Sequence, residues 1–317
     1  MSAALLSLRL TRIEYAAAGI HLLEFRATDG APLPSFDPGA HIDLHLPGGL
    51  VRQYSLCNAP HERHRYVVAV KRDPRSRGGS AAAHERLRVA ELVPVSVPRC
   101  HFALDEAAPF SLFIAGGIGI TPVACMVQRL RVIGRPFAVH YSVRRRDEAA
   151  LLDVLAGPEL ALHVDEERGA LLDVPGLVAQ APADAAVYCC GPAPMLDAFE
   201  AAARACPGLR WRVERFVPVA DAAHTPAHEG GFRVRLAASG RTVAVPAGQT
   251  ILEALREAGL DVPSSCEQGI CGTCETRVLG GEPDHRDSLL SDDERRANRS
   301  MMICCSGSRS AELVLDL

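Results

Sequence analysis

Apolar and polar residues alternate in short runs through the first hundred positions. The runs are Leu5–Ile13, His21–Ala27, His41–Leu46, Gln53–Leu56, Arg65–Lys71 and Leu92–Val97, with Gly and Pro between them. A period of two broken by turn residues predicts antiparallel strands, and six in succession predict a barrel or sandwich. From about residue 107 the pattern changes. Apolar runs at Ser111–Ala115, Phe137–Val143, Ala186–Cys190 and Arg210–Arg215 are interleaved with amphipathic stretches at Pro122–Val132 and Ala193–Ala205. Continuous apolar strands separated by helices predict a parallel sheet, an α/β block.

The stretch from Val217 to Gly231 has two Pro, two Gly, two His and no apolar period, so it reads as a linker. Beyond it, Phe232–Leu236 and Thr242–Val245 flank Ala-Ser-Gly, the pattern of a hairpin. Thr250 with Glu253 forms a capping-box signature for a helix that ends near Ala258 and Gly259, and Ser291 with Glu294 forms a second. Strands are expected at Thr276–Leu279 and Glu312–Leu317. The expected division is an all-β block at 1–105, an α/β block at 106–222, a linker at 223–231 and an α+β block at 232–317.

The 317 residues carry 34 Lys+Arg against 38 Asp+Glu, a net charge of −4. That balance argues against a nucleic-acid binder, which would show a basic excess. The near absence of lysine beside abundant arginine and alanine reads as coding bias. No apolar run reaches the roughly 18 residues of a membrane helix. The first residues lack a basic start and are broken by Arg9 and Arg12, which reads as a strand rather than a signal peptide and predicts a reducing cytoplasm. There, eleven cysteines are not expected to pair as disulfides.

Three of them lie on one loop, Cys266, Cys271 and Cys274, in the spacing C-x4-C-x2-C. Thiolates are soft ligands for zinc or iron–sulfur clusters. Three on one loop with a distant fourth is the plant-type [2Fe–2S] arrangement, whereas structural zinc more often uses paired C-x2-C knuckles. Cys304 is the expected fourth ligand, with the adjacent Cys305 as its competitor. Gly269 and Gly272 let the loop wrap closely and aim amide N–H groups at sulfur. Two further places favour anions. Gly78-Gly79-Ser80 before three alanines reads as a loop opening a helix, with Ser80 near the N-cap. Gly116-Gly117-Ile118-Gly119-Ile120-Thr121-Pro122 joins a strand to a helix, with Thr121 as N-cap and Pro122 at the first helical position. The Cys190-Gly191-Pro192 turn similarly ends a strand and begins a helix. Cys57, Cys100, Cys125 and Cys206 read as buried small hydrophobes, and His285-Arg286-Asp287 as a surface turn.

In order along the chain, Arg52-Gln53-Tyr54-Ser55, Gly78-Gly79-Ser80, the Gly116–Pro122 turn, Cys190-Gly191-Pro192, the cysteine loop and the terminal Leu-Val-Leu-Asp-Leu resemble the phthalate dioxygenase reductase family, which includes vanillate O-demethylase reductases. The resemblance implies a flavin-binding antiparallel β-barrel, a nucleotide-binding α/β domain and a β-grasp ferredoxin domain. It further implies FMN, NADH and a [2Fe–2S] cluster held by Cys266, Cys271, Cys274 and Cys304. Arg52, with Arg77, would face the flavin phosphate, Tyr54 would pack on the ring system, and Ser55 would reach N5. Gln53 belongs to the same strand motif. Gly116, Gly117, Gly119 and Thr121 would cradle the dinucleotide, with Cys190 beside the nicotinamide, Phe216 covering the flavin and Glu214 near N5. Sequence alone leaves FAD open against FMN, and NADPH against NADH. Arg144-Arg145-Arg146 could read a 2′-phosphate or form a solvated loop balanced by Asp165, Glu166 and Glu167. The implied task is to carry electrons from NADH through FMN and the cluster to a Rieske-type oxygenase, as a monomer that docks transiently. The weighed alternatives are a reductase for another acceptor and a redox-sensing binding protein.

Overall fold

The computed structural model describes residues 5–74, 77–217 and 231–317. They fall into two compact units that part between Glu214 and Arg215. Residues 218–230 of the expected linker lie outside the described residues.

The first unit begins with six antiparallel strands: β1 (Leu5–Ala17), β2 (Ile20–Ala27), β3 (His41–Leu46), β4 (Leu50–Ser55), β5 (Tyr66–Lys71) and β6 (Leu92–Ser96). Their order is β4-β3-β6-β1-β2-β5, and a bridge between Leu56 and Val68 joins the two outer strands into a barrel. Register shifts at Leu10/Arg12 and Tyr15/Ala17 bend β1, which helps the sheet curl. Alternation is what fills the interior: Leu10, Phe25, Ile42, Leu44, Tyr66 and Val95 point inward and are fully buried. A short helix, Gly79–Glu85, adds Ala82 and Ala83 to that core.

The same unit continues into a parallel sheet of β7 (Ser111–Gly116), β8 (Phe137–Val143), β9 (Leu160–Val164), β10 (Ala186–Cys190) and β11 (Arg210–Glu214), in the order β11-β10-β7-β8-β9. Strand β7 is buried along its whole length, as its unbroken apolar run demands. The chain runs outward from β7 to β8 and β9, then returns to lay β10 on the other side of β7. The carboxyl ends of β7 and β10 therefore flank a reversal of strand order, where open α/β sheets bind ligands. Helices Ile120–Ile133 and Ala193–Arg204 start directly after those two ends. Strand β9 and the short helices Leu152–Leu155, Asp165–Arg168 and Val174–Ala179 have no counterpart in the sequence reading. Strand β9 is an edge with half-exposed residues, and each helix is too brief to display a 3.6-residue period.

The second unit holds β12 (Phe232–Leu236), β13 (Thr242–Val245), β14 (Glu275–Gly280), β15 (Pro283–Asp284), β16 (Ser300–Met302), β17 (Gly307–Ser308) and β18 (Glu312–Leu315). Five form a mixed sheet, β13-β12-β18-β14-β16, in which the first and last strands pair in parallel at the centre. Helix Ile251–Glu257 packs on it through Ile251, Leu252 and Leu255, completing a β-grasp arrangement. Both capping boxes form as the sequence predicts, at Thr250/Glu253 and Ser291/Glu294. Among the described residues no helix is long and apolar enough to cross a membrane.

Candidate redox sites

In the second unit Cys266, Cys271, Cys274 and Cys304 are all buried, between 2 and 6% exposed. They sit in neighbouring couples: Cys266 contacts Cys271 and Cys304, and Cys274 contacts Cys304. Thiol-to-thiol hydrogen bonds split their acidities. Cys271 is brought down to about 6, chiefly by Cys266, and Cys304 is lowered by Cys266 and Cys274, whose own values rise. Such a set already holds thiolate character, and bound iron would replace the shared protons. Backbone amides support the anions: Gln268 N–H donates to Cys266 Sγ at 3.3 Å, and the Ile270 and Gly269 amides favour charge on Cys266 and Cys304. Four buried thiols linked in one chain of contacts form an all-sulfur donor set that suits [2Fe–2S].

Gly269 shows why the loop is built this way. It has φ +69, and a Cβ there would lie 2.5 Å from Cys305 Sγ and 2.9 Å from Asp287 Cα. Cys305 is half-buried, pressed on Gly269, and its Sγ reaches the Met302 carbonyl at 3.7 Å. The expected surface turn at His285-Arg286-Asp287 is a correction. Asp287 is 4% exposed and accepts from the amides of Leu289 and Leu290 at 2.9 and 2.7 Å, while Ser288 N–H donates to the Gly269 carbonyl. The segment is an internal anchor for the cysteine loop, because a carboxylate that caps two amides is stable inside.

In the first unit Arg52 lies on β4, donating to the Val51 carbonyl at 2.7 Å and the Arg77 carbonyl at 3.0 Å. A Cβ on Gly79 would come 2.5 Å from Arg52 Cγ and Nε, so glycine leaves the lane the guanidinium occupies. Burial, then the Arg77 charge, pushes Arg52 below its ordinary pKa. An anion there would relieve both effects, which is the fit a flavin phosphate needs. Ser80 is not the N-cap. Gly78, with φ +83, takes that place, and buried Ser80 accepts from Asp73 N–H at 3.1 Å. Gln53 Nε2 donates to Asp43 Oδ1 at 3.2 Å, where Arg99 also binds at 2.7 Å. Tyr54 packs against the barrel core, and burial raises its hydroxyl to about 12.

Ser55 ends β4 and is 4% exposed. Its Oγ makes no hydrogen bond among the described residues. The Glu214 carboxyl lies close enough for that hydroxyl to pull its pKa down, yet outside hydrogen-bonding geometry. Glu214 and Cys190 are register partners on β11 and β10, with Cys190 Sγ 4.0 Å from Glu214 Oε2. A buried hydroxyl without a partner, next to a protonated carboxyl and a thiol, is a place prepared for a polar ring edge.

The two Gly turns at the strand-order reversal touch through their backbones. A Cβ on Gly119 would overlap the Cys190 carbonyl and sit 2.8 Å from Gly191 N. One on Gly116 would meet Pro192 Cδ at 2.6 Å and Met195 Sδ at 2.9 Å. Thr121 is another correction: a 3₁₀ turn, Gly117–Gly119, starts the helix early, and Thr121 Oγ1 donates back to the Ile118 carbonyl at 3.0 Å. Of the three arginines, Arg145 pairs with Asp147 and Glu148, and Arg146 pairs with Glu167 through two short contacts. Phe216 belongs to the second unit and is 38% exposed. Buried Cys57 and Cys125 have thiols raised to about 12 by burial, whereas Cys100 and Cys206 are only half-buried.

Burial lifts Glu214 from its ordinary 4.5 to about 8, with Ser55 the opposing influence. A carboxyl whose pKa is raised on folding favours the fold fully below its unfolded value and loses that benefit as pH climbs through the folded one. Wild type should therefore lose stability relative to Glu214→Gln between about pH 5 and about pH 9. Urea unfolding midpoints of the two proteins across that range check it, and a pH-independent difference would contradict a buried protonated carboxyl.

Residues 234–307 match the family model described as the 2Fe-2S iron-sulfur cluster binding domain. The chain is 56% identical to the phenoxybenzoate dioxygenase subunit beta of Ectopseudomonas oleovorans, covering 98% of this chain and 97% of that one. Phthalate dioxygenase reductase, solved as a modular structure for electron transfer from pyridine nucleotides to [2Fe–2S], is 39% identical with a TM-score of 0.72, over 99% of this chain and 98% of that one. An intact type IV self-sufficient cytochrome P450 monooxygenase is 42% identical with a TM-score of 0.92 over 99% of this chain, which spans about 41% of that longer protein.

Proposed function

The chain belongs to the phthalate dioxygenase reductase family, and from that membership we propose that it feeds electrons from NADH to a Rieske-type oxygenase component. It is an oxidoreductase of the pyridine nucleotide, flavin and [2Fe–2S] type. Bound FMN would supply the conversion between two-electron hydride chemistry and single-electron transfer to a [2Fe–2S] cluster. The observation that carries the reading is the buried, unpartnered Ser55 hydroxyl beside Cys190 and Glu214.

Ser55 offers that hydroxyl to the flavin N5 edge. Cys190, kept protonated by burial, presents a small neutral surface beside the nicotinamide. Glu214 stays protonated near neutral pH and adds no charge there. Arg52, Arg77 and the Gly78-Gly79-Ser80 turn hold the flavin phosphate, with Gln53 and Tyr54 shaping the strand beneath and Phe216 assigned to one flavin face. Gly116, Gly117, Gly119 and Thr121 with Cys190, Gly191 and Pro192 form the nucleotide cradle. Cys266, Cys271, Cys274 and Cys304 hold the cluster. The working division is flavin barrel 1–105, nucleotide domain 106–222, linker 223–231 and ferredoxin domain 232–317. The protein acts as a cytoplasmic monomer that docks its oxygenase transiently.

The likeness to the self-sufficient cytochrome P450 monooxygenase favours a second reading, in which the acceptor is a P450 haem protein. Reduction rates of a purified Rieske-type oxygenase and of a purified P450, each followed against NaCl concentration, separate the two. The proposal expects faster reduction of the Rieske protein, falling as salt rises because docking is partly electrostatic. Faster reduction of the P450 would overturn it.

A further inference from the structure

The Ser55 hydroxyl is one of three buried polar atoms that share a row across the barrel and have no hydrogen bond among the described residues; the others are His41 Nε2 and Arg99 Nε. The sheet register makes the row. His41 opens β3, stands opposite Ser55 of β4 on one side and opposite Arg99 on the other. Residues directly opposite one another put their side chains on the same face. His41 and Arg99 exchange both backbone bonds, at 2.8 and 3.0 Å, and Leu56 N–H donates to the Ala40 carbonyl at 2.9 Å. The Leu56 bond makes the next couple, His41 and Ser55, a non-hydrogen-bonded pair, the closer kind, with Cβ atoms about 4.5–5.5 Å apart. His41 is 6% exposed, so it lies behind Ser55 rather than at the surface. Burial, then the Arg99 charge, pushes the His41 ring down to about 3, and the ring is neutral at ordinary pH. Asp43 would favour an imidazolium, but Arg99 Nη2 holds its carboxylate at 2.7 Å and Gln53 Nε2 at 3.2 Å. The His101 ring, 5.8 Å away, also disfavours charge on His41.

We propose that His41 is a positioning residue for the Ser55 hydroxyl, its Nε2 serving as the acceptor that lets this hydroxyl reverse its role when the flavin is reduced. This rests on the flavin reading of Ser55 above and adds the group behind it. N5 is an acceptor before hydride arrives and carries a hydrogen afterwards. A serine hydroxyl has one donor and two lone pairs, so it serves both states only by rotating. Facing an N–H, it must aim its own hydrogen elsewhere, and a buried hydroxyl with no acceptor is costly. A neutral imidazole with its proton on Nδ1 offers a lone pair at Nε2; an imidazolium offers none. Only hydrogen bonds exchange, and the serine proton stays on its oxygen. The competing accounts are a ring that merely packs beneath β4 and a hydroxyl that turns to Glu214 instead.

Spectroelectrochemical titration of the full chain reads the difference. His41→Phe keeps a ring and removes the acceptor. Its ratio of reduced to oxidised flavin at a fixed potential should fall about tenfold, about 30 mV for a two-electron couple. His41→Gln, whose amide oxygen can stand where Nε2 does, should stay within about twofold of wild type. In a Ser55→Ala background, His41→Phe should add no further shift, because the hydroxyl it serves is gone. An unchanged potential in His41→Phe, or an equal shift with and without Ser55, would overturn the proposal and leave the flavin reading standing. Identical flavin potentials in wild type and Ser55→Ala would overturn the reading of Ser55 and this proposal with it. A measurement on oxidised wild-type protein stands apart from the flavin content of His41→Phe. Nitrogen-15 NMR of histidine-labelled chain at neutral pH, with the His41 signals identified by their loss in His41→Gln, should show a neutral ring protonated on Nδ1. An imidazolium, or a proton on Nε2, would overturn the proposal.

Discussion

Replacing Cys271 with Ser should cut NADH-driven reduction of cytochrome c by more than about a hundredfold while leaving reduction of a two-electron dye near the wild-type rate. Cys271 is 2% exposed and tends toward thiolate through Cys266, Thr273 and the loop amides. A hydroxyl at that position binds iron poorly and leaves the other three thiols with an incomplete donor set. Two-electron dyes draw on the flavin, whose proposed barrel residues lie in the other unit, so hydride uptake should survive. Cys304→Ser should reproduce the loss. Cys305→Ser should not, because Cys305 faces Gly269 and the Met302 carbonyl. Absorbance of the cluster in each purified variant gives the check. Loss of the cluster in Cys305→Ser with retention in Cys304→Ser would reverse the assignment of the fourth ligand.

Gly119→Ala should be a severely damaging single methyl in the first unit. The added carbon would meet the backbone C of Cys190 at 2.5 Å and N of Gly191 at 2.8 Å, atoms that no rotamer change can move. Relief requires the carboxyl ends of β7 and β10 to separate, at a cost of about 3 kcal/mol in unfolding free energy. The same separation would open the proposed nucleotide cradle, so the KM for NADH should rise by more than about tenfold. Gly134→Ala is the control. That residue has φ +65 at a helix end with nothing within 4 Å, so it should cost about 1 kcal/mol and leave NADH kinetics unchanged. Urea denaturation and steady-state kinetics read both effects. Wild-type KM in Gly119→Ala would show that contact between the two turns is irrelevant to nucleotide binding.

The parts legible in the sequence are those whose signal is local. Strand alternation in β1 to β6, the apolar run of β7 and the boxes at Thr250/Glu253 and Ser291/Glu294 each follow from neighbours a few positions apart. The cysteine spacing is similar, since one loop supplies three of the proposed ligands and the chemistry dictates their type. What escaped depends on contacts distant in sequence. Asp287 reads as part of a polar turn until Gly269 and the Leu289 and Leu290 amides close around it. Thr121 and Ser80 look like helix caps. The Gly-rich turns before them adopt 3₁₀ or left-handed backbone and begin each helix sooner, turning both hydroxyls inward.

The central claim is that hydride taken up in the first unit leaves through a thiolate-bound pair of irons in the second. Anaerobic titration of the purified full chain with NADH, followed by visible absorbance and electron paramagnetic resonance, addresses it most directly. The account predicts bleaching of flavin and iron–sulfur bands together, with a reduced [2Fe–2S] resonance that is absent from Cys271→Ser. Flavin bleaching in wild-type protein whose cluster stays oxidised, or a preparation that binds no iron after reconstitution, would contradict it.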